Sequence, residues 1–175
     1  MPDQKKIDEI IRVNHAGEYG AKQIYSGQIA VFKRKNDPET LKLLKHMKEQ
    51  EDEHFDYFDK QVVKKQIRPT LMQPLWKVAG FALGASTALL GKKAAMACTV
   101  AVEEVIDEHY QEQLDILDEK KDKELVDKIK KFQAEELEHR DIGIENEAKS
   151  LSYYQPLSSL IKSASKLAIK ISKKI

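Results

Sequence analysis

Several residue types are scarce in this chain of 175 residues, and each scarcity excludes a class of protein. The single cysteine, Cys98, excludes an intrachain disulfide framework and a zinc or iron–sulfur site built from cysteines. We expect Cys98 itself to be a small core residue. Only seven glycines and five prolines occur, which disfavours a turn-rich all-β chain and favours long helices. No glycine-rich fingerprint of a nucleotide-binding loop is present.

Net charge and long apolar runs are also lacking. The 30 basic and 29 acidic residues leave a formal charge of +1, so a globally basic nucleic-acid binder is not expected. Hydrophobic residues make up 41% of the chain, enough for a folded core. The most apolar segment, residues 74–90, is shorter than the roughly 20 residues of a membrane span, and Lys77 interrupts it. We interpret this segment as a helix buried in a bundle or lying in a bilayer interface.

The periodicity of apolar residues predicts an all-α protein. Asn36, Asp37 and Pro38 separate the first two helices, and Pro38 suits the first turn of the second. No alternating, strand-like run of useful length occurs. The predicted helices cover about residues 7–34, 39–66, 74–90, 92–119, 123–150 and 157–174.

Two of the five histidines stand in the same short motif, Glu-x-x-His. These are the pairs Glu51–His54 and Glu136–His139. Residues i and i+3 share one face of a helix, so each pair can point at one object. The two motifs begin 85 residues apart.

The same offset of 85 residues reveals an internal repeat. It relates Glu18 to Glu103 and Tyr25 to Tyr110, so that Glu-x6-Tyr-x-x-Gln occurs twice, each time 33 residues ahead of a Glu-x-x-His. The offset also selects Glu103 over its neighbour Glu104. Each repeat is therefore a helix with one inward Glu followed by a helix with Glu-x-x-His.

Together the two repeats predict a site for two metal ions. Four glutamates and two histidines on four helices are the ligand set of di-iron and di-manganese carboxylate bundles, and these hard and borderline donors suit iron or manganese. The alternative is a duplicated hairpin with solvated acids, which does not explain why both histidines fall at matching places. The predicted ligands are Glu18, Glu51, His54, Glu103, Glu136 and His139.

Other polar residues are candidates for contacts with these ligands. Tyr25 and Tyr110 each follow their glutamate by seven residues and so lie on the same helix face. They could donate hydrogen bonds to the ligands, be radical-prone neighbours, or simply pack in the core. For His109 and His15 we favour a place beside the ligands or at the surface over metal binding, and we expect His46 to be solvated.

The C-terminal helix is amphipathic and basic. Its apolar residues recur with a period of 3.6, its opposite face carries five lysines, and no acidic residue follows Glu147. Such a helix lies in a membrane interface, or else packs its stripe on the bundle and leaves its lysines in water. Taken with the apolar helix at 74–90, the pattern favours a membrane-surface role.

Several longer strings resemble one known family, the demethoxyubiquinone hydroxylases of ubiquinone biosynthesis. They cover nearly the whole chain and go well beyond a generic metal-binding pattern. They include residues 12–21 (RVNHAGEYGA), 80–91 (GFALGASTALLG), 95–104 (AMACTVAVEE) and 135–143 (EELEHRDIG).

The resemblance implies a single ferritin-like di-iron domain over residues 1–175, made of repeat one (about 7–66), the apolar helix 74–90, repeat two (about 92–150) and the amphipathic tail helix 157–174. It implies a monooxygenase that hydroxylates a polyprenyl-methoxy-methyl-benzoquinol with O₂, using two Fe ions per chain held by the six ligands above. NADH, direct or through the quinone, is the expected reductant.

The resemblance further implies a membrane quinol substrate, a membrane surface, a lipid-binding accessory protein and a homo-oligomer as partners. The lack of a presequence leads us to expect a bacterial peripheral enzyme on the cytoplasmic face of the cell membrane. A ferritin- or rubrerythrin-like protein that oxidises iron or removes peroxide is the alternative, because it would share all six ligands.

Overall fold

The computed structural model of the protein describes residues 4–174, which form six α-helices and one short 3₁₀ turn. No strand occurs among these residues, so the predicted all-α fold is confirmed. The helices are α1 (Gln4–Lys35), α2 (Pro38–Lys64), α3 (Gln73–Leu89), α4 (Lys92–Leu114), α5 (Lys123–Glu145) and α6 (Tyr154–Ser172), with the 3₁₀ turn at Ala148–Ser150.

The turn between α1 and α2 lies where the sequence predicted it. Asn36 has a φ of 52°, a left-handed conformation that asparagine tolerates well. The Asp37 side chain then accepts the backbone N–H of Thr40 at 3.0 Å and caps α2. Pro38 occupies the first turn, where its missing N–H has no intrahelical partner to lose.

The prediction carried the fourth and fifth helices too far, because α4 ends at Leu114 and α5 ends at Glu145. After α4, the Asp118 carboxylate accepts two backbone N–H groups of the following turn, a local arrangement that competes with continued helix. After α5, Glu147 takes a left-handed φ of 66°, which interrupts the helical hydrogen bonding.

Two helical hairpins, α1–α2 and α4–α5, form the body of the bundle. Helix α3 lies along α1, and α6 lies along α4. Two larger clusters of buried apolar side chains fill the interior, and a smaller third cluster contains Cys98 of α4 and Ile161 of α6. The first includes Ile11, Phe58 and Phe132, and the second includes Phe32 and Leu44.

Helices α1 and α3 approach each other at glycine positions. A Cβ atom built on Gly84 of α3 would lie 1.9 Å from the carbonyl oxygen of Ile24, and one built on Gly80 would lie 2.8 Å from that of Gly20. The small residues of the predicted apolar segment therefore bring the two backbones into contact. The opposite face of α3, which carries Val78 and Leu89, remains exposed.

Helix α6 packs only part of its apolar stripe on the bundle. Ile161 is buried, whereas Leu160 and Leu167 are 69% and 57% exposed. The Lys166 ammonium lies 2.7 Å from the Glu108 carboxylate of α4, so the basic face of α6 also contacts the bundle. Within residues 4–174, no helix combines the length and the apolar character needed to cross a bilayer.

Candidate metal centre

The six predicted ligands converge in the interior of the bundle. One lies on α1, two on α2, one on α4 and two on α5, and every one of them is 2% exposed or less. Because i and i+3 share a helix face, each Glu-x-x-His motif places both of its side chains in the same interior. The two hairpins thus supply equivalent halves of one site.

The site consists of two overlapping clusters that share Glu51 and Glu136. In each cluster, one potential ligand atom of every member lies within 4.8 Å of those of the others. Glu51 and Glu136 could therefore supply ligand atoms to either cluster, while the unshared residues belong to one cluster each. The first cluster is Glu18, Glu51, His54 and Glu136, and the second is Glu51, Glu103, Glu136 and His139.

Both imidazoles turn the same ring nitrogen towards the carboxylates. The Nδ1 atom of His54 lies 3.1 Å from Oε1 of Glu136, and Nδ1 of His139 lies 3.1 Å from Oε2 of the same residue. The rings are nearly parallel, with their centroids 6.4 Å apart. Glu136 therefore faces both histidines, as a bridging carboxylate between two metal ions would.

The carboxylates have more acceptor atoms than donors to satisfy them. Both side-chain oxygens of Glu51 and one oxygen each of Glu18 and Glu103 are buried without a hydrogen-bond partner. An ionised carboxylate in such surroundings is strongly unfavourable unless a cation offsets its charge. Two divalent ions would balance four carboxylates, so the residues present fit a two-metal centre.

Without metal, the excess of buried carboxylates over hydrogen-bond donors favours the protonated forms of several of these side chains. Burial, and then the charge of Glu136, raises the pKa of Glu51 to about 8. Burial also raises the pKa of Glu103 well above its usual range, with the Glu136 and Glu51 charges adding to it. Burial lowers the pKa of His139, but the hydrogen bond with Glu136 and the nearby carboxylate of Glu51 outweigh this effect and raise it to about 11. Metal binding would displace these protons.

The two predicted tyrosines donate hydrogen bonds to ligands across the repeats. Tyr25 of α1 donates to Oε1 of Glu103 at 2.7 Å, and Tyr110 of α4 donates to Glu18. Burial raises the pKa of both phenols well above its usual range, so they stay neutral donors. Each tyrosine thus holds the single unshared glutamate of the other repeat.

Two residues that sequence reasoning missed hold the outer nitrogens of the histidines. Nε2 of His54 lies 2.8 Å from the Glu135 carboxylate, and Nε2 of His139 lies 2.8 Å from Oε1 of Gln50. The offset of 85 residues relates Gln50 to Glu135, but the repeat is evident only at positions that keep the same residue type, and these two differ.

The remaining histidines do not join the cluster. His109 Nδ1 lies 3.5 Å from the Glu112 carboxylate, and the His109 side chain lines an apolar cavity beside the cluster. His15 is buried and contacts Asp59, and His46 is exposed.

An apolar cavity of about 190 Å³ lies between α1, α3, α4 and α6. Its lining is mostly aliphatic and small side chains, including Leu83 and Ile106, but it also includes Glu18 and Tyr110. The Trp76 indole, on the cavity lining, donates a hydrogen bond from α3 to Ser172 of α6 at 3.1 Å. The cavity therefore joins one side of the metal centre to the space between α3 and α6.

The chain matches the sequence family described as "Ubiquinone biosynthesis protein COQ7" over residues 5–172. It is 52% identical over 171 residues to a "3-demethoxyubiquinol 3-hydroxylase" of Rhodospirillum rubrum, covering 97% of this chain and 78% of that protein. It is 48% identical over 176 residues to the "NADPH-dependent 3-demethoxyubiquinone 3-hydroxylase, mitochondrial" of Bos taurus, covering 99% of this chain and 80% of that protein. The protein of the same name from Homo sapiens is 48% identical over 172 residues, which cover 97% of this chain and 78% of its own length. The chain therefore belongs to the family of the ubiquinone biosynthesis protein COQ7.

Proposed function

We propose that this protein is a monooxygenase that hydroxylates the ring of a polyprenylated demethoxyubiquinol with O₂ in ubiquinone biosynthesis. The observation that carries the proposal is the apolar cavity that ends at Glu18 and Tyr110 beside the carboxylate and histidine cluster. A water-poor cavity next to an oxygen-activating centre suits the oxidation of a lipid-soluble ring. The names of the relatives point to the same reaction.

The proposed cofactor is a pair of iron ions in a ferritin-like arrangement of α1, α2, α4 and α5, within one domain. When bound, iron supplies the reduction of O₂ that the side chains alone do not perform. Glu51 and Glu136, which belong to both clusters, would help to hold both ions, and the contacts at Nε2 of His54 and His139 would fix the orientation of the two imidazole rings. Tyr25 and Tyr110 keep the two unshared glutamates in place as neutral hydrogen-bond donors.

The substrate ring would bind at the Glu18 end of the cavity, with its prenyl chain leading out between α3 and α6. Both helices also expose large apolar side chains at the protein surface, among them Val78 and Phe81 of α3 and Leu160 and Leu167 of α6. Such a surface favours peripheral contact with a bilayer, where the prenyl chain resides. An accessory lipid-binding protein and self-association are part of the proposal as partners at this surface.

The reductant in the proposal is a reduced pyridine nucleotide. The names of the Bos taurus and Homo sapiens relatives specify NADPH, whereas the resemblance in sequence implies NADH. Hydroxylation rates measured with NADH and with NADPH at equal concentration would distinguish the two donors.

The decisive experiment supplies the iron-loaded protein with demethoxyubiquinol, ¹⁸O₂ and a reductant and measures the hydroxylated quinol by mass spectrometry. The expected product carries one ¹⁸O atom. Absence of this product together with rapid mineralisation of Fe²⁺ would overturn the proposal in favour of a ferritin-like activity.

A matched pair of variants on α3 tests the cavity. Ala79 lines the cavity, whereas Ala82, on the same helix, is exposed outside it. We expect Ala79→Phe to lower turnover and substrate binding without changing iron content, and Ala82→Phe to behave as wild type. Trp76, the single tryptophan, lines the cavity, so quenching of its fluorescence by the quinone reports binding separately from turnover.

A further inference from the structure

The two halves of the metal centre differ at one pair of equivalent positions. The residue before each Glu-x-x-His motif reaches across to the other hairpin, where it contacts Nε2 of that hairpin's histidine. At His54 the contact is the carboxylate of Glu135, and at His139 it is the neutral amide of Gln50, each at 2.8 Å. The repeat therefore places an anion behind one ligand and an uncharged group behind the other.

The surrounding contacts fix the direction of both hydrogen bonds. An ionised carboxylate only accepts, so Nε2 of His54 is the donor, and Nδ1 is the nitrogen that faces the cluster. The amide nitrogen of Gln50 faces the carboxylate of Glu138 at 3.3 Å, which leaves its oxygen to accept from Nε2 of His139. Both rings thus present Nδ1 for metal binding, and they differ in the charge of the accepting group.

The Glu135 carboxylate is itself held in place. Lys131 contacts its Oε1 atom at 3.1 Å, while its Oε2 atom faces His54. Lys131 is about half exposed, so water screens its charge, whereas the His54 ring is fully buried. The negative charge of Glu135 therefore acts on the imidazole more strongly than Lys131 offsets it.

We propose that Glu135 is a positioning residue that makes the two metal positions unequal, so that the ion bound through His54 is held more tightly than the ion bound through His139. A carboxylate behind a histidine increases the basicity of the ligating nitrogen more than a neutral amide does. The inference rests on the proposed two-metal centre, but it concerns metal affinity and not hydroxylation.

The test is an anaerobic calorimetric titration of the metal-free protein with Fe²⁺ alone. Wild type should bind two ions in two resolved steps. Glu135→Gln should weaken the tighter step by about 10–100-fold, so that the two steps converge, and Gln50→Glu should strengthen the weaker step by a similar factor. The control, Glu53→Gln, removes a carboxylate that contacts Lys131 but not a histidine, and should leave both steps unchanged.

The exchanged variant Gln50→Glu with Glu135→Gln separates this proposal from a general effect of charge or folding. It keeps the composition of the site and should restore two resolved steps. The ⁵⁷Fe Mössbauer spectrum should then show one doublet at half occupancy and a second, distinct doublet at full occupancy. Equal steps in wild type, or an Glu135→Gln variant that binds as wild type does, would overturn the proposal. These readouts need no turnover, so a failure here is distinct from a failure to form hydroxylated quinol.

Discussion

Replacing Gly84 by alanine places a methyl group in the backbone of a neighbouring helix. The added Cβ would lie 1.9 Å from the carbonyl oxygen of Ile24 and 2.7 Å from its carbonyl carbon, whereas ordinary contact begins at 3.4 Å. Both neighbours are backbone atoms, so no side-chain rotation relieves the overlap. Helix α3 has to move away from α1 by roughly 1.5 Å, the difference between 3.4 Å and 1.9 Å. This movement loosens the contact between the two helices, both of which line the apolar cavity.

Two opposing terms set the size of the effect. Alanine favours helix over glycine by up to about 1 kcal/mol, whereas overpacking at a close contact costs about 1–3 kcal/mol. Because the overlap is with backbone, the upper part of that range applies, and we expect the free energy of unfolding to fall by about 1–2 kcal/mol. At about 2–4 °C per kcal/mol for a domain of this size, the melting temperature falls by about 2–8 °C.

Gly20→Ala on α1 is the matched control, because a Cβ built there has no atom within 4 Å outside its own helix. The same chemical change should leave stability unchanged or raise it by up to about 1 kcal/mol. Thermal and urea unfolding of both metal-free variants, followed by circular dichroism, measures the difference. If Gly84→Ala proves as stable as Gly20→Ala, the close approach of α1 and α3 is wrong.

Three further predictions concern the buried polar groups. Glu136→Ala should abolish loading to two irons per chain because both clusters lose a shared ligand, and full occupancy by metal analysis would contradict the ligand assignment. Tyr110→Phe removes the donor to a Glu18 oxygen, so the metal-free protein should lose about 1–3 kcal/mol of unfolding free energy; an unchanged urea midpoint would argue against this hydrogen bond. Burial raises the pKa of Cys98 to about 12, so a thiol reagent at pH 8 should label it only after unfolding, and rapid labelling of the folded protein would show that it is accessible.

The helices and the residues that converge in the interior were predictable because both follow from short-range periodicity. An i, i+3 pair shares a face in any helix, and a long offset that preserves residue type picks out equivalent positions. Glu51, His54 and their counterparts therefore follow from the sequence without any knowledge of packing. The same periodicity predicts that Tyr25 and Tyr110 lie near the ligands.

The pairing between repeats was not predictable in the same way. That Tyr25 donates to Glu103, and not to Glu18 on its own helix, depends on how the two hairpins face each other. Gln50 and Glu135 share a position in the repeat but not a residue type, so identical residues do not mark them as equivalent. Contacts of this kind are fixed by long-range packing, which leaves no periodic trace in the sequence.

Helices α3 and α6, which lie outside the repeat, make the two sides of the ligand cluster different. Glu18 and Tyr110 line the apolar cavity, but their repeat equivalents, Glu103 and Tyr25, do not. On that other side the Tyr25 hydroxyl lies 3.7 Å from the sulfur of Met47 within a packed apolar cluster. The difference arises because α3 and α6 have no counterparts in the duplicated hairpins and border the Glu18 side. Under the proposed function, an apolar substrate would therefore reach the symmetric ligand set through this cavity, from the Glu18 side.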